Sequence, residues 1–217
     1  MAESIESIRE GWIETRAGKT IERLRAHEFE SIFVKTKGEA VKEILKWVAP
    51  GQKVGAAGSV TIRELGVLDH LERMEVTIWD HWKSGLSEEA ILETRKLQMS
   101  SDLFLGSVGA ITMEGELVSI DGIGNRVNSI NFGPGKVILV AGRNKIVADL
   151  QEAMKRIKNV AAPLNARRLN IDVPCAKLGK CVDCNSPERI CRIVVILERK
   201  PSMTDMLIIL VGEELGF

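Results

Sequence analysis

Short apolar runs and amphipathic stretches alternate along this chain. SIFVKT, at positions 31–36, is a compact run of strand type, rich in β-branched and aromatic residues. GEAVKEILKWVA (38–49) sets Val41, Ile44, Leu45 and Val48 on one face of a helix. QKVGAAG (52–58) is a short strand ending in glycine, and SVTIRELG (59–66) opens a helix. MEVTIWD (74–80) returns to strand, and SEEAILETRKLQM (87–99) is a helix with Ser87 as N-cap. DLFLGSVGAI (102–111) and GELVSIDG (115–122) read as strands about a tight turn at Glu114-Gly115. KVILVAG (136–142) is apolar after Lys136, as in a strand covered on both faces. NKIVADLQEAMKRIKN (144–159) reads as a helix with Ile146, Leu150, Met154 and Ile157 as its buried stripe. RIVVILERK (192–200) and DMLIILVGEELGF (205–217) supply two late strands.

Strands alternating with amphipathic helices predict an α/β fold: a mostly parallel open sheet with helices on both faces. The chain reads as a single domain over 1–217, preceded internally by a helical segment at 1–28. In that segment Ile5, Ile8, Trp12, Ile21 and Leu24 are expected to pack against the core, with an oligomer contact as the alternative. APLNARRLNIDVP (162–174) breaks the pattern with two prolines and leads into a cysteine-rich insertion at 170–192.

Composition narrows the functional classes. Hydrophobic residues make up 45% and charged residues 28% of the 217, ordinary for a soluble domain. Thirty Lys and Arg balance thirty Asp and Glu, so no net charge draws the chain to nucleic acid or an anionic membrane. The opening MAESIESIRE has no apolar stretch of signal-peptide type, and MLIILVG is too short to span a bilayer. A cytoplasmic protein without membrane insertion is expected, and in that compartment thiols stay reduced. His27, His70 and His81 are scattered without partners, and tyrosine is absent.

Ligands of open parallel sheets bind at the carboxyl ends of the strands. Three stretches belong there. In the first, Gly58, Ser59 and Thr61 offer a flexible turn, hydroxyls and amides at a helix start, which suits an anion. Thr61 and Glu64 also fit a capping box, the plainer reading. In the second, Glu116 and Asp121 sit in glycine-rich backbone beside Asn125 and Arg126. They are candidate acid–base groups, or else solvated turn residues. In the third, Arg143, Asn144 and Lys145 follow a buried strand at an expected helix start, where two cations invite a phosphate or carboxylate.

AGSVTIRELG, the long run from Gly109 to Lys158 and AAPLNARRL together resemble the LUD family, the lactate-utilisation protein domain. The resemblance covers roughly residues 5 to 200. It implies a fold similar to the sugar-phosphate isomerase and CoA-transferase superfamily. There a glycine- and hydroxyl-rich loop after an early strand commonly holds phosphate, and here Gly58, Ser59 and Thr61 match it. It also implies a place beside iron–sulfur partner proteins in lactate oxidation.

All four cysteines fall in one segment with the spacing C-x(5)-C-x(2)-C-x(6)-C: Cys175, Cys181, Cys184 and Cys191. Four thiolates suit zinc or an iron–sulfur cluster. Reversible disulfides and inert thiols are the other readings. Three functional expectations follow, of which a cysteine-stapled scaffold with no ligand is the plainest. One is an accessory protein of organic-acid oxidation, binding a small anionic metabolite and docking an iron–sulfur redox partner, as a monomer or a homo-oligomer. Another is a stand-alone isomerase, transferase or cyclo-ligase for a phosphorylated or carboxylated molecule, with Glu116 or Asp121 as acid–base group and Arg143 and Lys145 as anion clamp.

Overall fold

The structure, a computed structural model, describes residues 3–217. The elements in order are α1 (Ile5–Ala26), β1 (Glu30–Val34), α2 (Lys37–Leu45), β2 (Lys53–Ala56), α3 (Val60–Leu65), α4 (Val67–Leu71), β3 (Thr77–Asp80) and α5 (Glu88–Gln98). There follow β4 (Leu103–Gly106), β5 (Ala110–Thr112), β6 (Leu117–Asp121), α6 (Asn125–Asn131), β7 (Lys136–Gly142) and β8 (Ile146–Val147). The last are α7 (Leu150–Arg156), α8 (Ala162–Arg168), α9 (Pro174–Leu178), β9 (Ile193–Leu197) and β10 (Asp205–Val211).

Six strands form one sheet in the order β1-β10-β7-β4-β2-β3, every pair parallel. Its central strands β7 and β10 are the two most apolar runs of the chain, which is why they take the positions covered on both faces. Helices α2, α3 and α4 cover one face through Val41, Ile44, Ile62, Leu65 and Leu71. The other face carries Ile21 and Leu24 of α1, Ile130 of α6, and Ile111 and Leu117 of a second sheet. This second sheet, β8-β5-β6-β9, is mixed, and α7 packs on it through Ala153. The two late strands therefore part company: β10 joins the main sheet and β9 the small one.

Local chemistry explains several boundaries. Thr36 and Glu39 close a full capping box on α2, and Ser87 caps α5 as its position predicts. Helix α3 begins differently from the expectation. Ser59, not Thr61, is its N-cap, accepting from the Ile62 N–H at 3.4 Å. Glu64 instead accepts from the Gly216 N–H at 2.6 Å. The stretch 144–159 is not one helix. Arg143–Lys145 form a 3₁₀ turn, Ile146–Val147 pair with β5, and α7 starts only at its Asp149 cap. Nor does Pro163 end the helical run. A π-turn at Ile157–Ala161 precedes α8, and the proline sits in its first turn, where no N–H is needed.

Helix α1 corrects a second expectation. Only Ala17, Thr20, Ile21 and Leu24 are buried, whereas Ile5 is 71% and Trp12 61% exposed. Ile8 is exposed too. Ile8 and Trp12, though exposed, border a groove shared with Arg143, Ile146 and Glu214. No helix among the described residues is long and apolar enough to cross a membrane.

Candidate functional site: a cationic cleft at the strand ends

Strand β2 leads into helices on one face of the main sheet, and β4 into the small sheet on the other. That divergence opens a crevice at the carboxyl ends. The cleft there holds about 260 Å³. Such a volume lies just below the usual range for ligand sites, about 300–1,000 Å³, and suits a small metabolite.

Lys145 forms its floor. The side chain is buried, at 3% exposure, and its Nζ donates to Thr61 Oγ1 at 2.8 Å, Ser107 Oγ at 2.9 Å and the Val108 carbonyl at 3.2 Å. These acceptors favour the ammonium form. Burial opposes it, as do the nearby Arg156 and Arg126 charges, and the group titrates at about 7 instead of near 10.5, with Glu64 pulling weakly the other way.

Arg126 stands beside it in the first turn of α6. It donates to Asp121 Oδ2 at 3.3 Å, the Ser107 carbonyl at 3.3 Å and the Ile120 carbonyl at 2.7 Å. Gly124, at φ +100°, makes the sharp turn that starts this helix. Asp121 also accepts from the Ile123 and Gly124 N–H groups, each at 3.0 Å. Burial would raise its pKa, but Arg126 and these two donors outweigh it and hold the carboxyl below its ordinary range. Asp121 is thus a fixed carboxylate that orients Arg126, badly poised to exchange protons near neutral pH.

The opposite wall comes from segments that carried no signal in the sequence. Trp82 lies over the Gly58 turn so closely that a Cβ there would meet its ring at 2.7 Å. Its ring sits between the guanidinium groups of Arg168, at 4.2 Å, and Arg63, at 5.2 Å. His81 is buried next to it against Gln98, and burial foremost lowers its pKa. Arg95 also lines the cleft, and its Nε is buried with no hydrogen-bond partner. Only proximity in the fold reveals these residues; their sequence neighbourhoods look like ordinary loop and helix surface.

Among the residues singled out from sequence, Gly58, Ser59, Thr61, Asp121, Asn125, Arg126 and Lys145 all line this one cleft. Three others do not. Glu116 precedes β6 at the end opposite Asp121, about 16 Å away by strand rise, and its carboxylate accepts from the Thr112 hydroxyl. Arg143 points outward to Glu214, 3.5 Å away, beside the exposed half of α1. Asn144 holds the last residues in place, donating to the Gly216 carbonyl and accepting from the Leu215 N–H. Arg143 and Lys145 diverge because residues two apart in a helical turn do not share a face. With α3 only six residues long, the positive field comes from side chains more than from a helix dipole. Of the cysteines, Cys191 reaches the cleft wall, and all four are free thiols.

The LUD domain family matches residues 17–211, nearly the whole chain. The chain belongs to the LUD domain family. A solved structure shares its fold: a DUF162 family protein from Deinococcus radiodurans, at a TM-score of 0.53 and 14% identity, covering 92% of this chain and 98% of that one. No curated protein matches. At such low identity the structural likeness of this LUD domain speaks for the architecture alone.

Proposed function

We infer that this LUD domain binds a small organic anion in the cleft at the strand ends, as an accessory component of lactate-type organic-acid oxidation. The observation that carries the reading is an imbalance of charge. Lys145, Arg126, Arg95 and Arg168 face the cleft, while Asp121 is the lining carboxylate and is already committed to Arg126. Lys145 is buried without a carboxylate partner, which is costly, and an anionic ligand relieves that cost. The Thr61 and Ser107 hydroxyls accept from Lys145 and hold its amino group at the cleft. The family supports the lactate context, and an iron–sulfur redox partner belongs to that same proposal.

The test is calorimetric titration with lactate, pyruvate, a sugar phosphate and inorganic phosphate. Binding of at least one, lost in Lys145→Met, supports the reading. No binding by any of these anions, in a folded protein, defeats it. A second reading, an isomerase, transferase or cyclo-ligase, is favoured by one observation: Lys145 titrates at about 7, where a proton-transfer group works best. Turnover of a bound compound that vanishes in Lys145→Met with its binding retained would select the enzyme.

A further inference from the structure

The segment 174–192 has an unusual physical problem. None of its residues is buried, and it runs from α9 to β9 with Ile190 and Cys191 at the cleft. So short a stretch without a core does not hold its shape by packing; units of this kind are stapled by disulfides or a metal. All four cysteines of the chain lie in it, partly buried among mostly exposed neighbours, and all are free thiols.

The local geometry favours a metal over disulfides. The Asp183 N–H donates to Cys181 Sγ at 3.3 Å, and Asp183 takes the left-handed φ of 46°. The backbone between Cys181 and Cys184 therefore wraps an amide round a sulfur. An N–H donor of this sort stabilises a thiolate, the form that ligates metal, and does little for a disulfide sulfur. Arg189 ties the two later cysteines together, donating to the Cys184 carbonyl at 2.6 Å and the Cys191 carbonyl at 2.8 Å. Arg192 donates to the Pro187 carbonyl at 2.6 Å. Both guanidinium groups are thus folded into the loop, where they offset the charge of clustered thiolates. Among the described residues no three metal-donor side chains stand together as a finished site. Closing one needs rearrangement within a loop that has no buried residue to resist it.

The end of the segment is fastened to the cleft. The Arg192 N–H donates to the Asp121 carbonyl at 2.9 Å, and Ile190 packs so tightly on Gly122 that a Cβ there would stand 3.0 Å from its carbonyl oxygen. Cys191 itself lines the cleft. We propose that Cys175, Cys181, Cys184 and Cys191 together ligate one thiolate metal centre, zinc or an iron–sulfur cluster, which staples this segment as a wall of the cleft. On binding, each thiol releases its proton to solvent and its sulfur becomes a ligand.

Metal content of the full chain, purified without oxygen and with the cleft free of added anions, decides the matter independently of the ligand reading. About one zinc per chain, or iron with acid-labile sulfide and visible absorption, is expected. Loss of the metal in the Cys181→Ser, Cys184→Ser double variant, with the cooperative melting of the α/β body retained, assigns it to these cysteines. Should that variant fail to fold, protection of the native thiols from alkylation, relieved by a chelator, gives the same assignment. Protein without metal as isolated, and still without it after anaerobic reconstitution with zinc or with ferrous iron and sulfide, overturns the proposal. So do four thiols that alkylate freely, or sulfurs found paired as disulfides.

Discussion

Strand β7 is flanked by two buried lysines that the fold treats in opposite ways. Lys136, at its start, is 8% exposed. It meets Asp205 at 3.0 Å and Glu30 at 3.5 Å, with its Nζ 3.6 Å from the centroid of the Trp47 ring. Lys145, just past its other end, is 3% exposed and meets two hydroxyls and a carbonyl, none of them charged. The amino-end rim of the sheet neutralises its cation within the chain. The carboxyl-end rim leaves its cation uncompensated and adds arginines around it. The two rims thus differ in whether the chain itself supplies a carboxylate to its buried lysine.

The sharpest way to break this contrast is to remove each lysine. Lys145→Met should weaken binding of inorganic phosphate or pyruvate about 10- to 100-fold, the worth of a charge-assisted hydrogen bond of about 1.5–3 kcal/mol. Lys136→Met should leave binding alone and lower stability by about 1 kcal/mol, because its carboxylate partners are half exposed. Equal losses of binding in the two variants would erase the distinction. The pH dependence sharpens it further. An anion binds the charged form of Lys145, so affinity should fall as pH rises above about 7, by up to about tenfold per unit. Its folded pKa lies below the unfolded one, so the charge costs stability below about 7 and the cost lifts between about 7 and 10.5. Wild type should accordingly gain stability on Lys145→Met across that window, as denaturant melts at several pH values will read.

Smaller effects concern the walls. Gly58→Leu forces the Trp82 ring from the turn and should cost about 1–3 kcal/mol in urea unfolding, together with the fluorescence of that tryptophan's packed state. A neutral result would show the ring free to swing. Asp121→Asn should cost about 1–2 kcal/mol at neutral pH by loosening Arg126. Because the folded pKa of Asp121 is depressed, that contribution is present above the ordinary carboxylate range and disappears as pH falls through the folded value. The stabilities of the two proteins should therefore converge in acid. The smallest effect belongs to Trp12→Ala, within about 0.5 kcal/mol, since that residue packs on little besides Arg16.

Much of the fold could be read before any coordinates. The apolar runs that became β7 and β10, the Ser87 cap and the glycine-ended strands depend on neighbours within one turn or one strand, and local chemistry fixes them. The site was half legible by the same rule. Gly58, Thr61 and Lys145 follow strands of the main sheet whose carboxyl ends share one rim, while Asp121 and Arg126 reach it from the end of β6 in the second sheet. What the sequence could not reveal depends on register and handedness. Lys145 and Arg143 are two residues apart, and a single 3₁₀ turn sends one into the cleft and the other to solvent. Glu116 precedes β6 and Asp121 ends it, so the length of that strand keeps them apart. Trp82, Arg95 and Arg168 come from separate helices and loops, and only the packed chain makes them neighbours. Local sequence thus determined which segments are strands and helices, because that choice is settled by periodicity and capping. Tertiary structure alone decided which charges are left unpaired, because pairing is a matter of distance between parts of the chain that sequence keeps far apart.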